Sequence, residues 1–207
     1  MTADTQSARD DLAFLRGIVG GEGPQQMRSF GEAYLAAGVI YGGQMLGHAA
    51  QALGLIPGGP VLSLLIGLGP TVLFVPVLTW IILRNRSNVV HGAVNRAVTG
   101  MFGVVGLANL ALIGVIGSVA WREGSVTTWL IYPCAVFVLQ GTAWLFAFMM
   151  RRRAWFAAVA AGWFVCAVAM ALSVTAMGYY ILFAGAGLWL CMALPGWAVL
   201  RGGRKAD

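Results

Sequence analysis

The stretch AVTGMFGVVGLANLALIGVIGSVA, residues 97–120, decides the fold. It holds no Asp, Glu, Lys or Arg, and Arg96 and Arg122 bracket it. A helix of this length covers about 36 Å, more than the roughly 30 Å of hydrocarbon in a bilayer. Backbone amides cannot stay unbonded in lipid, so an apolar run of this length reads as a transmembrane helix. Five further runs share the pattern, at residues 33–53, 61–83, 128–150, 155–176 and 179–200, and none carries a formal charge. Together they predict an all-α polytopic membrane helix bundle of six transmembrane helices.

The rest of the chain agrees. Of 207 residues, 59% are hydrophobic and 10% charged, where a soluble domain carries roughly a quarter charged residues. A soluble core of this size leaves too much chain at its surface to hide so much apolar area. The 29 glycines also fit membrane helices, in which Gly is common. A net charge of +6 raises nucleic acid as a partner, but the basic residues cluster at the ends of apolar runs. No basic stripe with interleaved aromatics exists, which excludes nucleic acid and leaves the lipid bilayer as the first partner.

Those clusters also orient the chain. Arg9, Arg16 and Arg28 precede the first run; Arg84, Arg86 and Arg96 follow the second; Arg151, Arg152 and Arg153 follow the fourth; Arg201, Arg204 and Lys205 follow the sixth. The other side has Arg122 alone. The positive-inside rule then places both termini in the cytoplasm, N-in and C-in. Trp80, Trp121, Trp129, Trp155 and Trp197 lie near the ends of the runs, where indole rings prefer the headgroup level. Trp163 and Trp189 lie deeper and read as packing residues. The layout is three helical hairpins, and each returning helix contains proline: Pro70 and Pro76, then Pro133, then Pro195.

The domain boundaries follow: a cytoplasmic tail at 1–30, a six-helix transmembrane domain at 31–200, and a basic tail at 201–207. In the first tail Leu12, Leu15, Ile18 and Val19 recur at helical spacing behind Asp10, an N-cap residue, and predict a short amphipathic helix at the inner interface. Residues 20–26, broken by Gly and Pro, read as a linker. Asp4, Asp10 and Asp11 stand where a signal peptide has basic residues. One Lys against many Arg, with abundant Ala and Gly, points to a GC-rich bacterial genome, hence to a bacterial cytoplasmic (inner) membrane.

Two segments carry a resemblance: Asp11-Leu12-Ala13-Phe14-Leu15-Arg16, and Ala36-Ala37-Gly38-Val39-Ile40-Tyr41-Gly42 in the first run. With them the chain resembles a group of uncharacterised bacterial inner-membrane proteins of similar length and six-span layout. The resemblance covers chiefly the first quarter of the chain. It implies no activity and transfers no functional residue.

Few residues could carry chemistry. In the first run Gln44, His48 and Gln51 share one helical face. Gly38/Gly42 and Gly43/Gly47 form two pairs of small residues one turn apart, which let a second helix approach closely. These amides read as a polar pathway or as hydrogen bonds between helices, and the second reading is preferred because such bonds are common, at about 0.6 kcal/mol each. The candidate helix-contact face is therefore Gly38, Gly42, Gly43, Gly47 and His48. His91 lies outside the runs, and Cys134, Cys166 and Cys191 have no companion His, so no metal, haem or other cofactor is expected. A proton relay through His48 lacks an intramembrane Asp or Glu.

Depth singles out a second set. Gln44, Thr71, Asn109 and Gln140 lie near the midpoints of four different runs. Pro70, beside Thr71, releases the carbonyl of Ile66 by lacking an N–H. A midplane cluster of this kind is how many transporters hold a solute, and it is equally how helices are held together. Enzymatic chemistry has no support: the runs hold no paired carboxylates, no Ser beside a His and no HExxH. Gly100, Gly103 and Gly106 lie inside an apolar run without a preceding strand, so they are not a phosphate loop. The expected function is a non-enzymatic membrane module acting through helix–helix contact, as a homo-oligomer or with a partner subunit. The alternatives are a transporter or channel for a small uncharged solute and, last, a membrane enzyme or electron carrier.

Overall fold

The computed structural model describes residues 24–85 and 93–203. The expected amphipathic helix at 10–19, His91 and the last basic residues lie outside them. Described elements are α1 (Pro24–Ala52), α2 (Pro60–Arg84), α3 (Ala93–Glu123), α4 (Val126–Arg151), α5 (Ala154–Leu172) and α6 (Met177–Leu188), then a π turn (Trp189–Ala193) and α7 (Leu194–Gly203). No strand occurs among the described residues.

Local chemistry sets the ends. Proline opens α1 at Pro24 and α2 at Pro60; its missing N–H is one that a first turn leaves unbonded anyway. α1 thus starts inside the stretch read as a linker, and Arg28 and Glu32 lie in its first turns, ahead of the apolar run. Gly54 and Gly124 turn the chain after α1 and α3 at φ 71 and φ 60. Ser125 caps α4 by accepting the N–H of Thr128 at 3.1 Å. The π turn has its cause in Pro195. The proline ring crowds the carbonyl of Cys191 one turn back, and the wider turn lets the N–H of Leu194 reach the carbonyl of Trp189.

Five helical segments are long and apolar enough to cross a membrane: Pro60–Arg84, Ala93–Glu123, Val126–Arg151, Ala154–Leu172 and Met177–Arg201. The chain is an integral membrane protein that meets the lipid bilayer through them. The sixth expected run, in α1, is helical but less apolar, because Gln44, His48, Gln51 and four glycines dilute it.

The core lies among α1, α4, α5 and the α6–α7 segment. Trp144, Trp163 and Met170 are fully buried, with Phe137, Ala143, Ala147, Phe156, Ala160 and Ala167 between them. Alanines let α4 and α5 approach, and the rings fill the remaining space. α1 packs on α2, α6, the π turn and α7. α2 packs chiefly on α1 and α3 chiefly on α4, so both lie at the edge. Ile81 is the one buried residue described in α2.

Candidate functional site

Tyr34 ties the core together. Its hydroxyl accepts the indole N–H of Trp144 at 2.6 Å and donates to Oε1 of Gln140 at 3.1 Å. The ring stacks on Phe30 at 5.0 Å and meets Trp144 edge-on at 5.4 Å. An indole N–H, a phenol and an amide deep in a bundle each need a partner, and this arrangement supplies one to each.

Prolines set two further bonds. A proline in a helix loosens the carbonyls one turn before it, and a neighbouring side chain can bond them. Nε2 of Gln44 on α1 donates to the carbonyl of Gly67 on α2 at 3.0 Å, three residues before Pro70. The hydroxyl of Tyr180 on α6 donates to the carbonyl of Leu130 on α4 at 2.8 Å, three residues before Pro133. In α2 the bonded carbonyl is thus that of Gly67, the neighbour of the expected Ile66.

The four midplane residues are engaged separately. Gln44 is bonded to α2 and Gln140 to Tyr34. Thr71 is exposed on α2. Asn109 on α3 has a buried Oδ1 with no hydrogen-bond partner. No hydrogen bond joins any two of the four among the described residues. Gln51 is paired with Ser63 of α2 at 3.2 Å, so both glutamines of the α1 face turn toward α2, and His48 between them is half-buried.

The glycines divide. A Cβ at Gly38 would fall on the backbone of Ala193 in the π turn, and one at Gly42 would stand 2.7 Å from Nε1 of Trp189. Gly31 faces Gly196 on α7, where a Cβ would stand 2.5 Å from the backbone nitrogen of Leu35. These glycines let α1 lie directly on the π turn and α7. Gly47 instead faces Ile66 of α2 at 3.1 Å, and Gly43 faces open space. The candidate contact face therefore splits between two neighbours, because Gly43 and Gly47 are rotated away from Gly38.

Sequence reasoning passed over the basic end of the bundle. Glu32 of α1 accepts from Arg84 of α2 at 2.9 Å and from Arg28 at 3.2 Å. Arg151, the last residue of α4, donates to Oδ1 of Asn95 in α3 at 2.6 Å. Asn95 is only 6% exposed and is the one buried polar residue among those described. A cavity of about 40 Å³ adjoins this pair, lined by Asn95, Thr99 and Arg151 and by the rings of Phe30, Phe102, Trp144, Trp155 and Phe156. Trp155, expected at the headgroup level, is half-buried there, its ring tilted against Trp144 at 5.5 Å. Gln44, Asn109 and Gln140 do not line this cavity. Among the described residues no cluster of His, Cys, Asp or Glu could hold a metal ion. No family model, no curated protein and no solved structure matches this chain.

Proposed function

We propose that this chain is a six-span module of a bacterial cytoplasmic membrane, both termini on the cytoplasmic side, which acts through helix–helix contact with a second copy or a partner subunit. The observation that carries this reading is the bare face of α3. At Gly100, Gly103, Gly106 and Gly114 a Cβ would meet nothing within 4 Å. Around them Val104, Leu107 and Leu110 are exposed. Lipid gains nothing from glycine, whereas a second helix gains close approach, and membrane helix interfaces are enriched in small residues.

α1 supplies the sixth span. It has α2, α6, the π turn and α7 as neighbours, so its polar side chains see protein rather than lipid, which tolerates them poorly. The orientation draws on twelve basic residues against one. The Glu32–Arg84 pair and the shared cavity support it by bringing the start of α1 beside the end of α2, and the starts of α3 and α5 beside the end of α4. Cysteine labelling should mark Ser125→Cys from outside and Asn88→Cys only from inside.

A permeation role has one observation in its favour, the unbonded Oδ1 of Asn109. The glutamines that would share a solute site are bonded to separate partners, which favours packing. A photo-crosslinking residue at Leu107, in native membranes, tests the reading. The expected product is one discrete adduct of protein mass; adducts to lipid alone would contradict it.

A further inference from the structure

The cavity at the basic end is more than a packing defect. Its floor is aromatic, with Phe30, Phe102 and Trp144, but one wall is the Arg151–Asn95 pair. Asn95 is buried, and its bond at 2.6 Å fixes the guanidinium beside the space. The Phe156 ring lies 5.9 Å beneath the same guanidinium. Arg152 and Arg153 follow at once, both exposed. Arg152 takes the left-handed conformation, φ 54, at a helix end where glycine is the usual residue. Thr99 both lines the cavity and is exposed, so the cavity reaches the surface beside it. α3 reaches α1 here through rings, Phe30 to Phe102 at 4.9 Å.

A volume of about 40 Å³ has room for water-sized groups such as the non-bridging oxygens of a phosphate. A planar guanidinium suits that geometry through paired N–H donors. We propose that this cavity binds the phosphate of an anionic phospholipid, with the headgroup at Arg151, Asn95 and Thr99. The ligand chemistry is a phosphate oxyanion. Arg151 ends a membrane-spanning helix, at the level where lipid phosphates stand, which favours lipid over the free ion as its source.

Native mass spectrometry of the full chain from bilayers of phosphatidylcholine with phosphatidylglycerol tests this. The expected result is retention of phosphatidylglycerol over phosphatidylcholine, and a loss of about fivefold in that preference in Arg151→Gln. Thr99→Leu narrows the mouth without touching a charge, and should lose the preference too while helical circular dichroism stays that of the parent. Arg122→Gln, at the opposite end, should keep it. Equal retention of both lipids by the parent chain, or an unchanged preference in folded Thr99→Leu, would overturn the site. Thermal stabilisation by inorganic phosphate alone, with none from phosphatidylglycerol, would overturn the lipid assignment.

Discussion

α1 and α3 are both long, glycine-rich helices, and their glycines do opposite things. On α1, Gly31, Gly38 and Gly42 lie directly against α7, the π turn and Trp189. On α3, Gly100, Gly103, Gly106 and Gly114 meet nothing. α1 is the less apolar of the two and has the more protein neighbours; α3 is strongly apolar and packs chiefly on α4. Gln44, Gln51 and the glycines of α1 other than Gly43 are thus used inside the chain. On α3 the same small residues remain available to something outside it.

The largest effect should come from Gly38→Leu. A side chain there collides with the backbone of Ala193, which cannot swing aside as a flexible side chain would. The overpacking should cost about 3 kcal/mol or more and abolish a cooperative melt in detergent. A near-parental melt would mean that α1 does not lie on the π turn.

Tyr34→Phe comes next. It removes the acceptor of the buried Trp144 N–H and the donor to the half-buried Gln140, for an expected loss of about 2 kcal/mol by chemical or thermal denaturation. A smaller loss, about 0.6 kcal/mol, is expected for Gln44→Leu, which breaks a single bond between helices. If that loss exceeded the loss from Tyr34→Phe, the weight of the core would lie at α1–α2 rather than α1–α4.

Asn109→Leu should act in the other direction. Its Oδ1 is buried without a partner, so an apolar replacement relieves a desolvation cost and should leave the melt equal or higher by about 1 kcal/mol. A drop in stability would show that Asn109 has a partner in the membrane and would revive the solute-site reading.

Sequence alone carried the membrane reading because charge-free runs bounded by arginines follow directly from the physics of lipid. It carried the helices of five runs to within four residues at each end, the last of them broken by the π turn, and α1 less well, since polar residues mark a central helix as much as a loop. It grouped Gln44, Thr71, Asn109 and Gln140 by depth, but depth says nothing of direction around a helix, and their partners differ. Tyr34 went unnoticed because its partners lie 106 and 110 positions away, at Gln140 and Trp144. Arg151 was read only as part of a cytoplasmic basic cluster and Asn95 was not singled out, since nothing local shows that they meet. The two kinds of glycine are alike in sequence, since both sit one turn apart in apolar helices; only the neighbour distinguishes them.

The most direct test is to fill the bare face and watch the assembly rather than the fold. Gly103→Leu with Gly106→Leu, in the full chain, is extracted gently from native membranes and compared with the parent by native mass spectrometry and by melting. A discrete complex is expected for the parent and its loss in the variant, with the melting temperature within about 2 °C of the parent, as for surface changes that touch nothing. A parent that is monomeric and without partner, or a complex that survives both leucines, would contradict it.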